Sequence, residues 1–130
     1  MLKTGVINGQ LASVLARFRH MNSIAIVDGP FPSYNGIELV DLAIQMGVPK
    51  ISDVLDAILP NLLITQIIMA NEFKSKVDES TVKKYLAHNL DFPVTTIPHE
   101  EFKKEVGKVM AIIHTGDDVP YSSEIGRAHV

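Results

Sequence analysis

The spacing of apolar residues changes near the start of the chain and predicts a helix followed by a strand. One helical face is apolar at four positions: Leu11, Val14, Leu15 and Phe18. Asn8 is placed to cap this helix, because its side-chain oxygen can accept a hydrogen bond from an unpaired backbone N–H. The run 23–27 is short, apolar and rich in β-branched residues, which is typical of a buried strand.

Strands and helices alternate along the rest of the chain. Apolar, β-branched runs predict strands over 37–44, 62–69, 93–97 and 109–114. Helical spacing predicts helices over 52–59 and 78–90, and a further helix that begins at Pro98. This alternation predicts one layered α/β domain whose mostly buried sheet is covered by helices.

Composition narrows the class of protein. A chain of 130 residues with 46% hydrophobic and 21% charged residues is expected to fold around one core. The net charge of −3 argues against a nucleic-acid partner. The longest apolar stretch, 59–70, is interrupted by polar residues and proline, and no signal peptide is visible, so no membrane partner is expected. The absence of cysteine excludes thiolate metal sites and fits a cytoplasmic protein.

Candidate chemistry centres on histidines and one aspartate. None of the five histidines has the spacing of a metal site, so no metal is expected. Asp28 follows the predicted strand 23–27, and ligands of open α/β sheets tend to bind beyond the carboxyl ends of strands. Aspartate before Gly29 is also ordinary turn chemistry, so both interpretations stay open. His114, at the end of another strand, is expected to be a core-edge residue. The residues alone indicate an α/β domain with a candidate His/Asp site.

Blocks of sequence in unbroken order over residues 1 to about 123 resemble the ribose pyranase family of sugar mutarotases. The matching blocks are 1–5, 14–17 with His20, 26–28, 40–43, 47–49, 54–57, 99–103, 115–117 and 120–121. The resemblance implies the family's fold and an isomerase that interconverts pyranose and furanose forms of D-ribose without a cofactor. It also implies a homo-oligomer, a decamer. The alternatives are the sister L-fucose mutarotase and a sugar-binding or regulatory module without turnover.

The resemblance also assigns site residues. It implies that His20 is the catalytic proton-transfer residue and that Asp28, His99 and Tyr121 bind the sugar. Ser123 stands where the family usually has asparagine. A hydroxyl replaces only one of the hydrogen bonds that an amide can make, so contact between Ser123 and sugar is an open point of this interpretation.

The end of the chain departs from the family pattern. The family closes with an apolar strand, whereas residues 124–130 read Glu-Ile-Gly-Arg-Ala-His-Val, which one reading frame of a common sequencing adapter also encodes. The hypothesis is that the domain spans 1–123 and that residues 124–130 replace the gene's final strand. Such a chain is expected to expose backbone edges of the sheet. A stop codon directly after Val130 in resequenced source DNA would contradict the hypothesis.

Overall fold

The computed structural model describes residues 5–19, 21–87 and 92–128. Its strands are β1 (Ser23–Val27), β2 (Glu38–Asp41), β3 (Gln66–Ala70), β4 (Val94–Ile97), β5 (Ala111–His114) and β6 (Glu124–Arg127). Its helices are α1 (Gly9–Arg17), α2 (Ile51–Ile58), α3 (Glu72–Lys76), α4 (Glu79–Leu86) and α5 (His99–Val106). A short 3-10 helix, Leu59–Asn61, extends α2.

The strands form one mixed sheet of six, in the order β2-β5-β1-β6-β3-β4. β5 pairs in parallel with β1 and β2, and β3 pairs in parallel with β4. β6 lies between β1 and β3 and is antiparallel to both. The predicted α/β class is therefore confirmed.

Both faces of the sheet are covered around its central strand β1. Side chains alternate along a strand, so β1 contributes to two cores. In β1, Ile24 and Ile26 belong to a core formed with α1, α2 and α4. Ala25 and Val27 belong to a second core on the opposite face, which α5 covers. Strands covered on both faces read as continuous apolar runs, which is why the composition of 23–27 predicted this strand correctly.

Local signals set most of the element boundaries. Asn8 caps α1 as predicted, since its Oδ1 accepts from the backbone N–H of Leu11 at 2.8 Å. The predicted strands 37–44 and 62–69 are shorter in the structure. They correspond to β2 (Glu38–Asp41) and β3 (Gln66–Ala70). The helix predicted over 78–90 is α4, which ends at Leu86, and residues 88–91 lie outside the described ranges. Helix α3 was not predicted.

The expectation of exposed strand edges at the end of the chain is wrong. Glu124–Arg127 forms β6, which occupies the gap between β1 and β3 and pairs with both. Ile125 is buried in the core under α5. The origin of residues 124–130 is a separate question, and the hypothesis about it stays a prediction.

Membrane insertion finds no support in the helices. None of those in the described ranges is both long and apolar enough to cross a bilayer.

The loop that follows β5 packs against the turn after β2 through glycine. The backbone N–H of Gly116 donates to the carbonyl of Pro49 at 2.9 Å, and the Gly116 carbonyl accepts from Gly47. A Cβ at Gly116 would overlap the carbonyl oxygens of Gln45 and Val48. These are backbone atoms, so they cannot move aside as a flexible side chain could.

We therefore predict that Gly116→Ala lowers the free energy of unfolding by about 1–3 kcal/mol, the usual cost of forcing atoms into a packed interior. Urea denaturation followed by circular dichroism measures it. Gly9→Ala is the matched control, because Gly9 lies in α1 with nothing within 4 Å of its added Cβ. The control is expected to be neutral or stabilising by up to about 1 kcal/mol. Equal unfolding midpoints for the two variants would contradict the prediction.

Candidate active site

Asp28 is a buried carboxylate at the carboxyl end of β1. Its side chain and backbone are both held by Ser123, the residue that precedes β6. The Ser123 hydroxyl donates to Asp28 Oδ1 at 2.8 Å and accepts from the Asp28 backbone N–H at 2.9 Å. Only 7% of Asp28 and 2% of Ser123 are exposed. The second carboxylate oxygen, Oδ2, accepts no side-chain hydrogen bond within the described ranges.

The environment of Asp28 makes its carboxylate more basic than an exposed one. Burial raises the pKa of Asp28, the hydrogen bond from Ser123 opposes the rise, and the nearby charge of Asp117 adds to it. The net effect holds the pKa above the usual range for aspartate. A carboxylate with a raised pKa is a better proton acceptor and a better hydrogen-bond acceptor for hydroxyl groups.

His99 stands in the first turn of α5, inside an aromatic frame. Its backbone N–H donates to the Glu72 carboxylate at 3.0 Å, which joins the start of α5 to α3. Its ring meets the Tyr121 ring edge to face, with centroids 5.0 Å apart. Phe31 and Phe102 also pack against it, at centroid distances of 6.2 and 6.4 Å. The buried ring nitrogen Nδ1 has no hydrogen-bond partner among the described residues.

Tyr121 adopts a left-handed backbone conformation, with φ of 62°. This region is unfavourable for a residue with a large side chain, and such strain is typical of functional sites. The conformation leaves the Tyr121 ring between His99 and the Nζ of Lys76, which lies 5.9 Å from the ring centroid.

These side chains line one cleft of about 240 Å³. Its lining consists of Asp28, Pro30, Phe31, Pro32, His99, Asp118, Pro120 and Tyr121. Three of the residues singled out from the sequence, Asp28, His99 and Tyr121, are thus brought together, and Ser123 supports Asp28 from behind. His20 lies outside the described residues.

The loop between β5 and β6 is organised by Asp117, which sequence reasoning did not assign to the site. Its buried carboxylate accepts from the backbone N–H of Ile51 at 2.9 Å and from the Tyr85 hydroxyl at 2.8 Å. It also accepts from the backbone N–H of Val119 at 2.9 Å. Burial and the bond to Asp117 both raise the pKa of Tyr85, so the phenol stays protonated and keeps donating. In the sequence, the block 115–117 is marked only by the family resemblance.

A second group of polar residues lies on the other side of the loop that carries Phe31. His114 Nδ1 is 2.9 Å from Asp41 Oδ1, and His114 Nε2 is 2.9 Å from the Gly29 carbonyl oxygen. This pair borders an apolar groove of about 320 Å³ that shares Phe31 and Pro32 with the cleft. His114 is half-buried at the end of β5, close to its predicted core-edge position. Its two ring contacts had no signal in the sequence.

Metal binding finds no support in the site. Within the part of the chain that the structure describes, no three His, Asp or Glu side chains converge as metal ligands.

Comparison with known proteins identifies the family of this chain. A family model described as the RbsD / FucU transport protein family matches residues 1–127. The chain belongs to this family. The D-ribose pyranase of Thermosipho africanus is 40% identical over 125 residues, covering 96% of this chain and 94% of that protein. The D-ribose pyranase of Thermotoga maritima is 35% identical over 128 residues, covering 96% and 95%.

Solved structures of the RbsD / FucU family have the same fold. Bacillus subtilis RbsD complexed with D-ribose superposes with a TM-score of 0.90, at 29% identity over 100% of this chain and 98% of that one. The fucose mutarotase of Streptococcus pneumoniae in complex with L-fucose gives a TM-score of 0.77, at 25% identity over 99% of both chains. Members of the family with this fold are therefore described with two different sugars.

The pairing of Ser123 with Asp28 leads to a prediction about the pKa of Asp28. Ser123→Ala removes the hydrogen bond that stabilises the ionised carboxylate, so the pKa of Asp28 is expected to rise further. Carbon-13 NMR titration of the aspartate carboxyl signals measures it. Ser122→Ala is the matched control, because the buried Ser122 hydroxyl donates to the Val119 carbonyl and not to Asp28. An equal pKa of Asp28 in the two variants would sink the assignment.

Proposed function

We propose that this protein is a cytoplasmic sugar mutarotase that interconverts the pyranose and furanose forms of D-ribose without a cofactor. The observation that carries the proposal is the cleft. It combines the basic carboxylate of Asp28, the imidazole of His99 and the ring of Tyr121. Relatives 35–40% identical over nearly the whole chain are D-ribose pyranases, which supports ribose as the substrate.

The protein needs to supply only proton transfers for this reaction. A base takes the proton of the anomeric hydroxyl while an acid protonates the ring oxygen, and the bond from the anomeric carbon to that oxygen breaks. The open-chain aldehyde then rotates, and a different hydroxyl adds to its carbonyl carbon to close the other ring. Histidine suits both steps because its pKa lies near neutral pH, so acid and base forms are both populated.

Each residue has a role in this proposal. Asp28 accepts hydrogen bonds from sugar hydroxyls through Oδ2, since Ser123 occupies Oδ1. The imidazole of His99 lines the cleft beside Asp28, and Tyr121 covers one side of the sugar. His20 transfers the protons. Ser123 acts on the sugar through Asp28, because its hydroxyl already makes two hydrogen bonds with that residue.

A second copy of the chain completes the site in this proposal. Residue 20 precedes β1 and Asp28 follows it, so the whole strand separates the two positions along the chain. The six residue steps from Asn22 to Asp28 span about 20 Å at the rise of an extended strand. That distance is too long for one ribose to contact groups at both ends. A site that combines His20 of one copy with Asp28 of another removes the difficulty.

An exposed apolar surface near β2 supports self-association. It consists of Leu39, Ile44, Met46 and Val48, which are between 40% and 79% exposed. Exposed apolar surface of this kind is typical of a contact with another protein. A homo-oligomer would bury this surface. The family resemblance implies such an assembly, a decamer.

L-Fucose is the second candidate substrate, because the fucose mutarotase of Streptococcus pneumoniae shares the fold over 99% of both chains. A module that holds sugar without turnover is the third interpretation. These alternatives differ in which anomeric signals exchange in the presence of the protein.

Saturation-transfer NMR on the anomeric protons tests the proposal with D-ribose and L-fucose in parallel. Pyranose–furanose exchange of D-ribose is expected to increase with the protein, and His20→Ala is expected to lower that increase by about 10²–10⁴-fold, the contribution of general acid–base catalysis. Glu79→Gln, on the exposed side of α4, is the control and should retain the exchange rate. If the folded protein accelerates exchange of neither sugar, the proposal that it is an enzyme is wrong.

The same assay tests the shared site. His20→Ala and Asp28→Asn are each expected to be inactive alone, whereas co-expressed chains should recover activity at roughly one quarter of the sites by random assortment. No recovery in the mixed oligomer would show that both residues act within one chain.

A further inference from the structure

His114 lies between the strand that leads to Asp28 and the strand that carries Asp41. In the parallel ladder it is the register partner of Val27 on β1 and of Asp41 on β2. Its ring therefore stands at the carboxyl edge of the sheet, next to the turn that begins at Asp28. Nδ1 approaches the Asp41 carboxylate and Nε2 approaches the Gly29 carbonyl, both at 2.9 Å.

Both neighbours of the His114 ring are hydrogen-bond acceptors only. A carboxylate and a peptide carbonyl have no proton to give, and a neutral imidazole carries a single N–H. A neutral His114 can therefore satisfy one contact and must point a lone pair at the other. The imidazolium form donates to both, so the observed geometry matches the charged ring.

The backbone of Gly29 is held at both its N–H and its carbonyl group. Its N–H donates to the backbone carbonyl of Asp117 at 2.8 Å, and its carbonyl accepts from His114. Gly29 follows Asp28 directly, so these contacts fix the backbone that carries the carboxylate. Of the two contacts, the one with Asp117 is independent of pH because it joins two backbone groups, whereas the one with His114 depends on the proton of its ring.

We infer that His114 is a positioning residue: as an imidazolium anchored on Asp41, it fixes the Gly29 peptide and thereby the placement of Asp28. The consequence for sugar binding rests on the proposed function. The positioning itself does not, since it concerns the free protein. Asp41 is the anchor because it holds the ring at the distance where Nε2 reaches the turn.

The charges around His114 favour its protonated form. Burial lowers the pKa of His114, but the hydrogen bonds to Gly29 and Asp41, together with the charges of Asp41 and Asp28, outweigh it and raise the pKa. Asp41 comes from β2 and Asp28 from the turn after β1. From the loop after that turn, Tyr34 lines the same groove, and its hydroxyl donates to the Lys103 carbonyl.

The direction of the pH dependence follows from the raised pKa. The positioning is complete below about pH 6.5, the ordinary pKa of histidine. It is lost as the pH rises through the folded-state pKa of His114, where the ring becomes neutral. At higher pH the turn at Gly29 loosens, and the affinity of the cleft for its ligand falls.

Nitrogen-15 NMR of the histidine rings and of the backbone amides, without sugar, tests the inference. We expect the His114 ring to titrate with a midpoint above about 6.5, and the Asp28 and Gly29 amide signals to shift with the same midpoint. Asp41→Asn should lower that midpoint by about one pH unit, while Glu79→Gln, which removes a distant exposed acid, should leave it in place. A midpoint at or below the ordinary value, or amides that do not follow it, would overturn the inference.

Two substitutions separate charge from packing. His114→Arg keeps a permanent charge with several donors, so the Gly29 amide should stay at its low-pH position throughout the titration. His114→Gln is neutral and should hold that amide at its high-pH position. Identical Gly29 signals in the two variants would mean that the charge at residue 114 does not position the turn.

Sugar exchange adds the functional readout. In the wild-type protein the KM for D-ribose should rise about tenfold or more above the His114 midpoint, and His114→Arg should remove this rise while kcat keeps its own pH dependence. A KM that stays constant through the midpoint overturns the effect on binding. If neither sugar exchanges, the proposed function fails, while the ring and amide titrations still decide the role of His114.

Discussion

The site depends on the hydrogen bonds that the buried carboxylate of Asp117 accepts. An ionised group in the interior is costly unless hydrogen bonds replace its hydration, and Asp117 obtains them from three places in the chain. They are the start of α2 at Ile51, the hydroxyl of Tyr85 on α4, and its own loop at Val119. Its backbone carbonyl also receives the N–H of Gly29. One side chain therefore fixes the loop that carries Tyr121 against the helices and against the turn that carries Asp28.

The same arrangement explains the properties of Asp28. Asp117 and Asp28 lie near the same edge of the sheet, but Asp117 is surrounded by donors. Asp28 has the Ser123 hydroxyl and a cleft in front of it, so burial and the charge of Asp117 leave it more basic than an exposed aspartate. The fold thus separates a structural carboxylate from one that is available to a ligand. The bridge from His114 to Gly29 adds a third contact to the turn, and it depends on protonation.

Strand β6 shows that pairing with neighbouring strands can outweigh a low strand propensity of the local sequence. Residues 124–127 contain a glycine, two charged residues and one isoleucine, which is a poor strand pattern. They pair because β1 and β3 each present a row of backbone groups that must find partners, and β6 satisfies both rows. This pairing takes even an acidic side chain out of solvent, since Glu124 at the start of β6 is 1% exposed.

Sequence alone was enough to predict the α/β class, the helix capped by Asn8, the strand 23–27 and the turn after Asp28. Each of these depends on short-range periodicity or on the conformational limits of single residues. Resemblance of ordered blocks pointed to Asp28, His99 and Tyr121, which the fold brings to one cleft. Three features depend on the three-dimensional fold: the place of β6, the buried hydrogen bonds that Asp117 receives from Ile51 and Tyr85, and the contacts of His114 with Asp41 and Gly29. The side-chain contacts among these join residues that lie from 32 to 85 positions apart. No local pattern specifies such contacts, since they arise when strands far apart in the chain become neighbours in one sheet.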